Sequence, residues 1–388
     1  MLYVLLFVLG AATAAPSEAV LGESAPQEPP EAEVPILQCP LASETYPCSC
    51  LHVRADTADV RCYEIQPSTN LQKIFGLVSK FQISYLTIAD SILDHLPAEI
   101  LLPLDISVIK LSRVNYTRLS FLNDLARIYP VPRLLYSLYS IEVDRARGID
   151  KWDWSGFQGF SALDRVIIRE SSFPRLTKSF GSLPNTVTEI SFEDIRDMES
   201  IAFGALARLH NLTTLRIKGT PLDVFERNVL PTPAAKLRVL DLSKNRLKSL
   251  PLDFLNEMPA LQVLSLKENQ LASLAAATFA PISLRSRLQL NLARNPFNCD
   301  CNLSWLNLLF SKNSAIFGTD LEMQCSEPAA LRGEFLHALE PKDFQCPRSY
   351  NLLPFQRAYD SNLLEFEAER IPQPAFLSQA EASLKIRK

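Results

Sequence analysis

The chain has 388 residues, 47% of them apolar, with 39 basic and 43 acidic side chains and a net charge of −4. A balance this close to neutral excludes the global field that would gather nucleic acid or an anionic membrane, so any charge-driven partner has to be read from local pattern. A prior of about 150 residues per domain suggests two or three domains, which a repeat architecture overrides.

Residues 1–15, MLYVLLFVLGAATAA, are an apolar run ending in Ala12-Thr13-Ala14, the pattern of a secretory signal peptide cut near Ala14 or Ala15. No Lys or Arg precedes the run and Pro16 disfavours a cut directly before it, which leaves an uncleaved span as the alternative. Crossing a bilayer takes about 20 apolar residues. No other stretch is long enough, and the closing LKIRK is polar, so no membrane anchor is expected and the protein reads as secreted and extracellular.

Residues 16–38 form a Pro- and Glu-rich leader, with too few large apolar groups to repay ordering. The eight cysteines fall in two groups of four, Cys39, Cys48, Cys50, Cys62 and Cys299, Cys301, Cys325, Cys346. Even numbers at the two ends of an exported chain read as disulfides. A zinc site in each group is the alternative; an oxidising compartment opposes it, as does the lack of His at ligand spacing, His52 being the only one inside either group. Spacing in Cys39-x8-Cys48-x-Cys50-x11-Cys62 allows three pairings.

Between the groups the chain repeats itself. The clearest units are Leu237-x-x-Leu240-x-Leu242-x-x-Asn245-x-Leu247-x-x-Leu250 and Leu261-x-x-Leu264-x-Leu266-x-x-Asn269-x-Leu271-x-x-Leu274, offset by 24 residues. In Leu-x-Leu the alternate leucines face one side of a strand, so Leu240 and Leu242 point into a coil while Val239, Asp241 and Ser243 point out. The Asn offers donor and acceptor to backbone leaving the ladder. No coil buries its own face, so each depends on its neighbours. Weaker copies begin at Ile83, Ile106, Leu138, Leu163, Val187 and Leu212, and a last one runs Leu290-x-Leu292-x-x-Asn295-x-Phe297, making nine.

Six of the nine lack Asn at the turn and carry Ser91, Val114, Ala146, Ser171, Ile195 and Thr220 instead. Ser and Thr can bond turn backbone, whereas Val, Ala and Ile cannot. The step from the second to the third repeat is about 32 residues, which predicts an extra helical turn within 119–128. Trp152, Trp154, Phe157 and Phe160 are expected to pack the layer beneath the third repeat, with an exposed aromatic contact as the alternative.

Asn295-Pro296-Phe297-x-Cys299-Asp300-Cys301-x-Leu303-x-Trp305-Leu306, followed by Cys325 and Cys346, is the most specific stretch. It resembles the carboxyl-terminal cysteine cap of secreted and cell-surface leucine-rich proteins, including slit-like, Nogo-receptor-like and Toll-like ectodomains. Cys39 to Cys62 resembles their amino-terminal cap, with a longer first gap. The resemblance implies the pairs Cys39–Cys50, Cys48–Cys62, Cys299–Cys325 and Cys301–Cys346, with Trp305 and Leu306 sealing the last coil. It implies an α/β solenoid, a leucine-rich-repeat horseshoe with a parallel concave sheet and disulfide-stabilised caps.

The expected divisions are a signal peptide at 1–15, a leader at 16–38, an amino-terminal cap and first coil at 39–80, repeats at 81–297, a carboxyl-terminal cap at 298–347 and a tail at 348–388. Over nearly its whole length the chain also resembles arthropod secreted leucine-rich proteins similar to the non-catalytic subunit of oplophorus-luciferin monooxygenase, which implies an associate of another protein without catalysis of its own.

Candidates for chemistry are few. His52, His95, His210 and His337 are far apart, and Gly-x-Ser-x-Gly, His-Glu-x-x-His and Gly-rich phosphate-loop motifs do not occur. No enzyme, metal or cofactor is expected. What remains is the concave face, where outward strand positions form columns. Glu142 and Asp144, then Arg165 and Arg169, then Glu189 and Glu193, then Arg216 and Lys218 alternate in sign from coil to coil, and Tyr85, Ile167 and Val239 are expected to be exposed apolar anchors. The pattern reads either as charges that satisfy one another across strands about 4.8 Å apart or as a docking strip for an extracellular protein, since alternating charge fixes register. The rival class is innate-immune pattern recognition or matrix binding of glycan, glycolipid or collagen. Sequons at Asn115, Asn211 and Asn302 suit a glycoprotein.

Overall fold

The computed structural model describes residues 37–54, 56–93, 98–116, 132–279 and 288–347. The signal peptide, nearly all of the leader, His95, the helical turn expected at 119–128 and the tail lie outside the described residues.

Eleven strands form one sheet in chain order. They are β1 (Cys48–Arg54), β2 (Thr57–Tyr63), β3 (Gln82–Ala89), β4 (Asp105–Ser112), β5 (Ser140–Asp144), β6 (Arg165–Arg169), β7 (Glu189–Glu193), β8 (Thr214–Lys218), β9 (Val239–Asp241), β10 (Val263–Ser265) and β11 (Gln289–Asn291). The hairpin β1–β2 is antiparallel, and from β2 onward every neighbour is parallel. Nine of these strands lie on the nine repeats read from the apolar periodicity.

Inward positions hold the coils together. Leu86, Ile109, Ile141, Val166, Ile190, Leu215, Leu240, Leu264 and Leu290 stack as one buried column. Fully burying such a side chain contributes about 1.5–3 kcal/mol. Beneath the middle coils the layer is aromatic: Trp154 lies 4.4 Å from Phe180 between ring centroids and continues through Phe173 to Phe192. Trp152, Trp154, Phe157 and Phe160 are all buried, so they pack the core.

Each end is closed by a small unit. At the amino end, the helix Leu71–Val78 buries Leu71, Ile74, Phe75 and Val78, one stripe of its surface, and Asn70 accepts from Lys73 N at 3.1 Å to cap it. The hairpin is pinned by Cys39–Cys50 and Cys48–Cys62. At the carboxyl end the helix Ser304–Lys312 lays Trp305 and Leu306 over the last coil, and Trp305 Nε1 donates to Leu274 O at 2.9 Å. Cys299–Cys325 and Cys301–Cys346 hold that unit. All four bonds are the pairs implied by the cap resemblance.

From β2 onward the chain leaves each strand through a left-handed residue, which the repeat pattern did not announce. Glu64, Asp90, Arg113, Arg145, Glu170, Asp194, Gly219, Lys244, Glu268 and Arg294 all have positive φ, one per coil. Only Gly219 betrays the position by its type. A Cβ there would also collide with the Asp194 carboxylate.

Candidate functional site

The outward positions of the sheet line up in register. One column runs Tyr85, Val108, Ser140, Arg165, Glu189, Thr214, Val239, Val263, Gln289, and the next runs Thr87, Lys110, Glu142, Ile167, Ser191, Arg216, Asp241, Ser265, Asn291. A third carries Ala89, Ser112, Asp144, Arg169, Glu193 and Lys218. Parallel pairing with constant inward leucines forces this alignment, because a one-residue slip would turn every apolar side chain outward.

The charges on this face engage one another across strands. Lys110 reaches Glu142 at 3.8 Å and Arg169 reaches Glu193 at 3.3 Å. Arg216 pairs with Glu189 across the β7–β8 boundary. Asp144 is held by Arg145 at 2.9 Å and accepts from Ser112 Oγ at 3.3 Å. Burial alone would raise the pKa of Glu193, but the hydrogen bond from Ser191 and the charges of Arg169 and Lys218 outweigh it and hold the carboxyl below its ordinary value. The face is therefore a mosaic of alternating charge, much of it paired across strands.

Apolar anchors are distributed differently from the expectation. Tyr85 is 47% exposed, and Val239 is half-buried. Ile167, expected to be exposed, is only 6% exposed. It points outward, but it sits mid-strand between Glu142 and Ser191 in register, where neighbours about 4.8 Å away on each side shield a short side chain. An exposed aromatic that the repeat reading missed is Tyr139, just before β5, 44% exposed. The Arg165 guanidinium lies over its ring, 5.1 Å from the centroid. A hydrogen bond to the Asp164 carboxylate pushes the Tyr139 phenol up from its ordinary pKa.

At its carboxyl end the face is overlaid by the cap. Asp320 accepts from Lys267 Nζ at 2.5 Å and from Asn291 Nδ2 at 3.3 Å, and Glu322 pairs with Arg294. Spacing in the sequence gave no sign of this, because the cap loop reaches back to strands about 29 to 53 residues earlier.

The sequons fall off the outward columns. Asn115 is exposed beside Ile92 in a short side ribbon. Asn211 donates Nδ2 to Asn185 O at 2.6 Å and accepts from Lys236 at 2.7 Å, so its amide is engaged. Asn302 stands exposed in the carboxyl cap, its backbone N donating to Asp300 at 2.9 Å.

Nothing gathers for catalysis among the described residues. His52 lies on β1, His210 between β7 and β8, and His337 in the carboxyl cap between Phe310 and Phe335, so the three sit apart. No group of three or more His, Cys, Asp or Glu there could hold a metal ion, and no helix is long and apolar enough to cross a membrane. Cavities of about 450 and 300 Å³ lie in the carboxyl cap, the larger lined by Asn307, Leu308, His337 and Phe344, away from the sheet face.

Comparison with known proteins agrees with this architecture. The leucine rich repeat family matches residues 235–297. Toll-like receptor 9 of Mus musculus is 25% identical over 193 residues, covering 48% of this chain and 18% of the receptor. Trophoblast glycoprotein of Macaca fascicularis is 30% identical over 158 residues, covering 40% of this chain and 36% of that protein. The chain thus spans about a fifth to a third of the length of these relatives. Among solved structures, the leucine-rich-repeat chain of FLRT2, in an octameric complex with Latrophilin 3 and Unc5D, superposes with a TM-score of 0.52 at 18% identity, covering 74% of this chain and 90% of that one. At that identity the likeness establishes the fold alone.

Proposed function

We propose that this disulfide-bonded leucine-rich-repeat protein, homologous to extracellular leucine-rich-repeat proteins, is secreted and binds an extracellular protein through its open sheet face without catalysis of its own. The observation that carries the reading is the register of the outward columns. Charges of both signs stand at fixed places from β4 to β8, three cross-strand pairs among them, with exposed tyrosines at the amino-terminal side. Such a mosaic selects a partner by complementarity and register and has little to offer a uniform polyanion. Repeat scaffolds stack coils into extended surfaces of this kind, and function resides in the side chains displayed there.

Relatives of this fold support the reading: FLRT2 was solved in a complex with other proteins. The resemblance to the non-catalytic subunit of oplophorus-luciferin monooxygenase fits the same role, an associate of a second protein. The two cavities noted above lie in the carboxyl cap, away from the sheet face.

The test uses the full secreted chain, tagged and recovered from its native fluid. Lys110→Glu combined with Arg216→Glu reverses charge on the face, while Arg208→Glu does so at an exposed turn outside the strands. Loss of a stoichiometric protein partner with the first variant and retention with the second is expected. Equal recovery with both would remove the sheet face from the site.

A further inference from the structure

We propose that Ser140 and Arg165 form a notch in the sheet face that receives a carboxylate, the side chain of an Asp or Glu on the protein partner, with Tyr85 and Tyr139 packing beside it. This rests on the reading of the sheet face as a protein-binding surface and says where on that face the contact is centred.

Two donors on the face are orphaned. Ser140 and Arg165 are directly opposed in the first column, on β5 and β6. Ser140 is 0% exposed and its Oγ has no hydrogen-bond partner; Arg165 Nε is likewise buried without one. Burying a hydroxyl or guanidinium nitrogen unpartnered is unfavourable, and nearly all such groups in folded proteins are satisfied. Two unsatisfied groups side by side, on a face where neighbouring arginines hold carboxylates, point to an acceptor that arrives from outside.

The surrounding charges explain why no internal acceptor serves. The other arginines of the outward columns are engaged: Arg61 with Asp59 at 3.8 Å, Arg169 with Glu193 at 3.3 Å, and Arg216 with Glu189. Glu189 is the carboxylate in register with Arg165, and Arg216 takes it from the far side. Asp164 is engaged by Thr188 Oγ1 at 2.7 Å and by Tyr139. Arg165 is left resting on the Tyr139 ring.

The chemistry of the orphans selects the ligand. A guanidinium has only donors and a serine hydroxyl supplies one more, so the matching group presents two acceptor oxygens close together, as a carboxylate does. Glu189 and Asp164 beside the notch disfavour a doubly charged phosphate. Tyr85, two strands away in the same column, and Tyr139 supply large, partly exposed rings of the type enriched at interface centres. The Ser140 hydroxyl is closed off in the free protein, so an entering carboxylate draws the Arg165 side chain off the Tyr139 ring.

A phage-displayed random peptide library panned on the full-length protein supplies the probe. Selected peptides are expected to share an Asp or Glu, and changing it to Gln or Asn is expected to weaken binding on the order of tenfold or more. Arg165→Gln and Ser140→Ala are expected to weaken the acidic peptide similarly and to shrink its advantage over the neutral one, while Arg169→Gln leaves that advantage intact. Because Ser140→Ala deletes an unsatisfied buried hydroxyl, its thermal midpoint is expected to rise, so its weaker binding cannot come from unfolding. A full acidic advantage persisting in Arg165→Gln, or selected peptides without acidic residues, would overturn the notch while leaving the face in place. Peptides indifferent to Tyr85→Ala, Arg165→Gln and Lys218→Ala alike would overturn both.

Discussion

The coils from Leu237 onward and the coils before them satisfy the same turn backbone in different ways. In the later coils Asn269 donates to Leu242 O and Leu266 O, both at 2.9 Å, and accepts from Leu247 N at 3.1 Å; Asn295 repeats the arrangement one coil on. One side chain thus ties its own coil to the preceding one through both a donor and an acceptor. In the earlier coils Ser171 accepts from Ala146 N at 3.0 Å but donates only to its own coil, at Arg169 O, and Ser91 does the same with Ile65 N and Ala89 O. At Ile195, which offers nothing, Asp197 two residues later accepts from Phe173 N at 2.8 Å. At these turns Ser and Asp serve as acceptor for the preceding coil's N–H as asparagine does. Where the second tie is missing, the aromatic layer from Trp152 to Phe192 supplies cohesion by packing.

If that division holds, the largest loss belongs to Trp154→Ala. Emptying a buried indole from the early coils is expected to destabilise by about 3–5 kcal/mol, read from denaturant unfolding of the whole protein. Asn269→Ala comes next, at about 3 kcal/mol for three net hydrogen bonds, with faster amide exchange at Leu247 on one side of it and through β10 on the other. Ser171→Ala is expected to cost about 1–2 kcal/mol. Its exchange signature should be confined to Ala146 and its immediate turn. Equal losses for Asn269→Ala and Ser171→Ala would erase the distinction between the two halves.

How far the sequence reveals this follows the same boundary. Strand positions are legible throughout because inward Leu, Ile and Val recur with one period wherever a coil must bury its face, as at Ile109 and Leu264 alike. Turn chemistry is legible only where Asn carries it; the role of Asp197 is displaced by two residues and looks like any surface carboxylate. The left-handed residues escape notice because charged side chains such as Asp90 and Arg113 occupy them with no change in apolar pattern. On the face, alternation gives direction but not exposure. Hence Ile167 points outward yet is shielded, while Tyr139, outside the Leu-x-Leu frame, is exposed. The orphaned state of Ser140 and Arg165 depends on which carboxylate Arg216 takes, and that pairing exists only once the strands are in register.

The smallest expected effect concerns the late end, where the cap loop adds an ionic latch to the neutral asparagine ladder. Burial acts to raise the Asp320 pKa, but hydrogen bonds from Lys267 and Asn291 and the charges of Lys267 and Arg294 outweigh it, so the group titrates below its ordinary 3.8. The Arg294 hydrogen bond lowers Glu322 in the same direction. A carboxyl whose folded pKa is depressed stabilises the fold above its unfolded value, and that contribution disappears as pH falls through the folded value. Partial exposure keeps the Asp320 contribution under about 1 kcal/mol. Below pH 3.8, amide exchange in the cap loop around Asp320 and in β11 is therefore expected to accelerate more than exchange around Asn245, and Asp320→Asn is expected to remove most of that extra acid sensitivity. Were Asp320→Asn to retain the full acid response, the latch would rest on the Glu322–Arg294 pair rather than on Asp320.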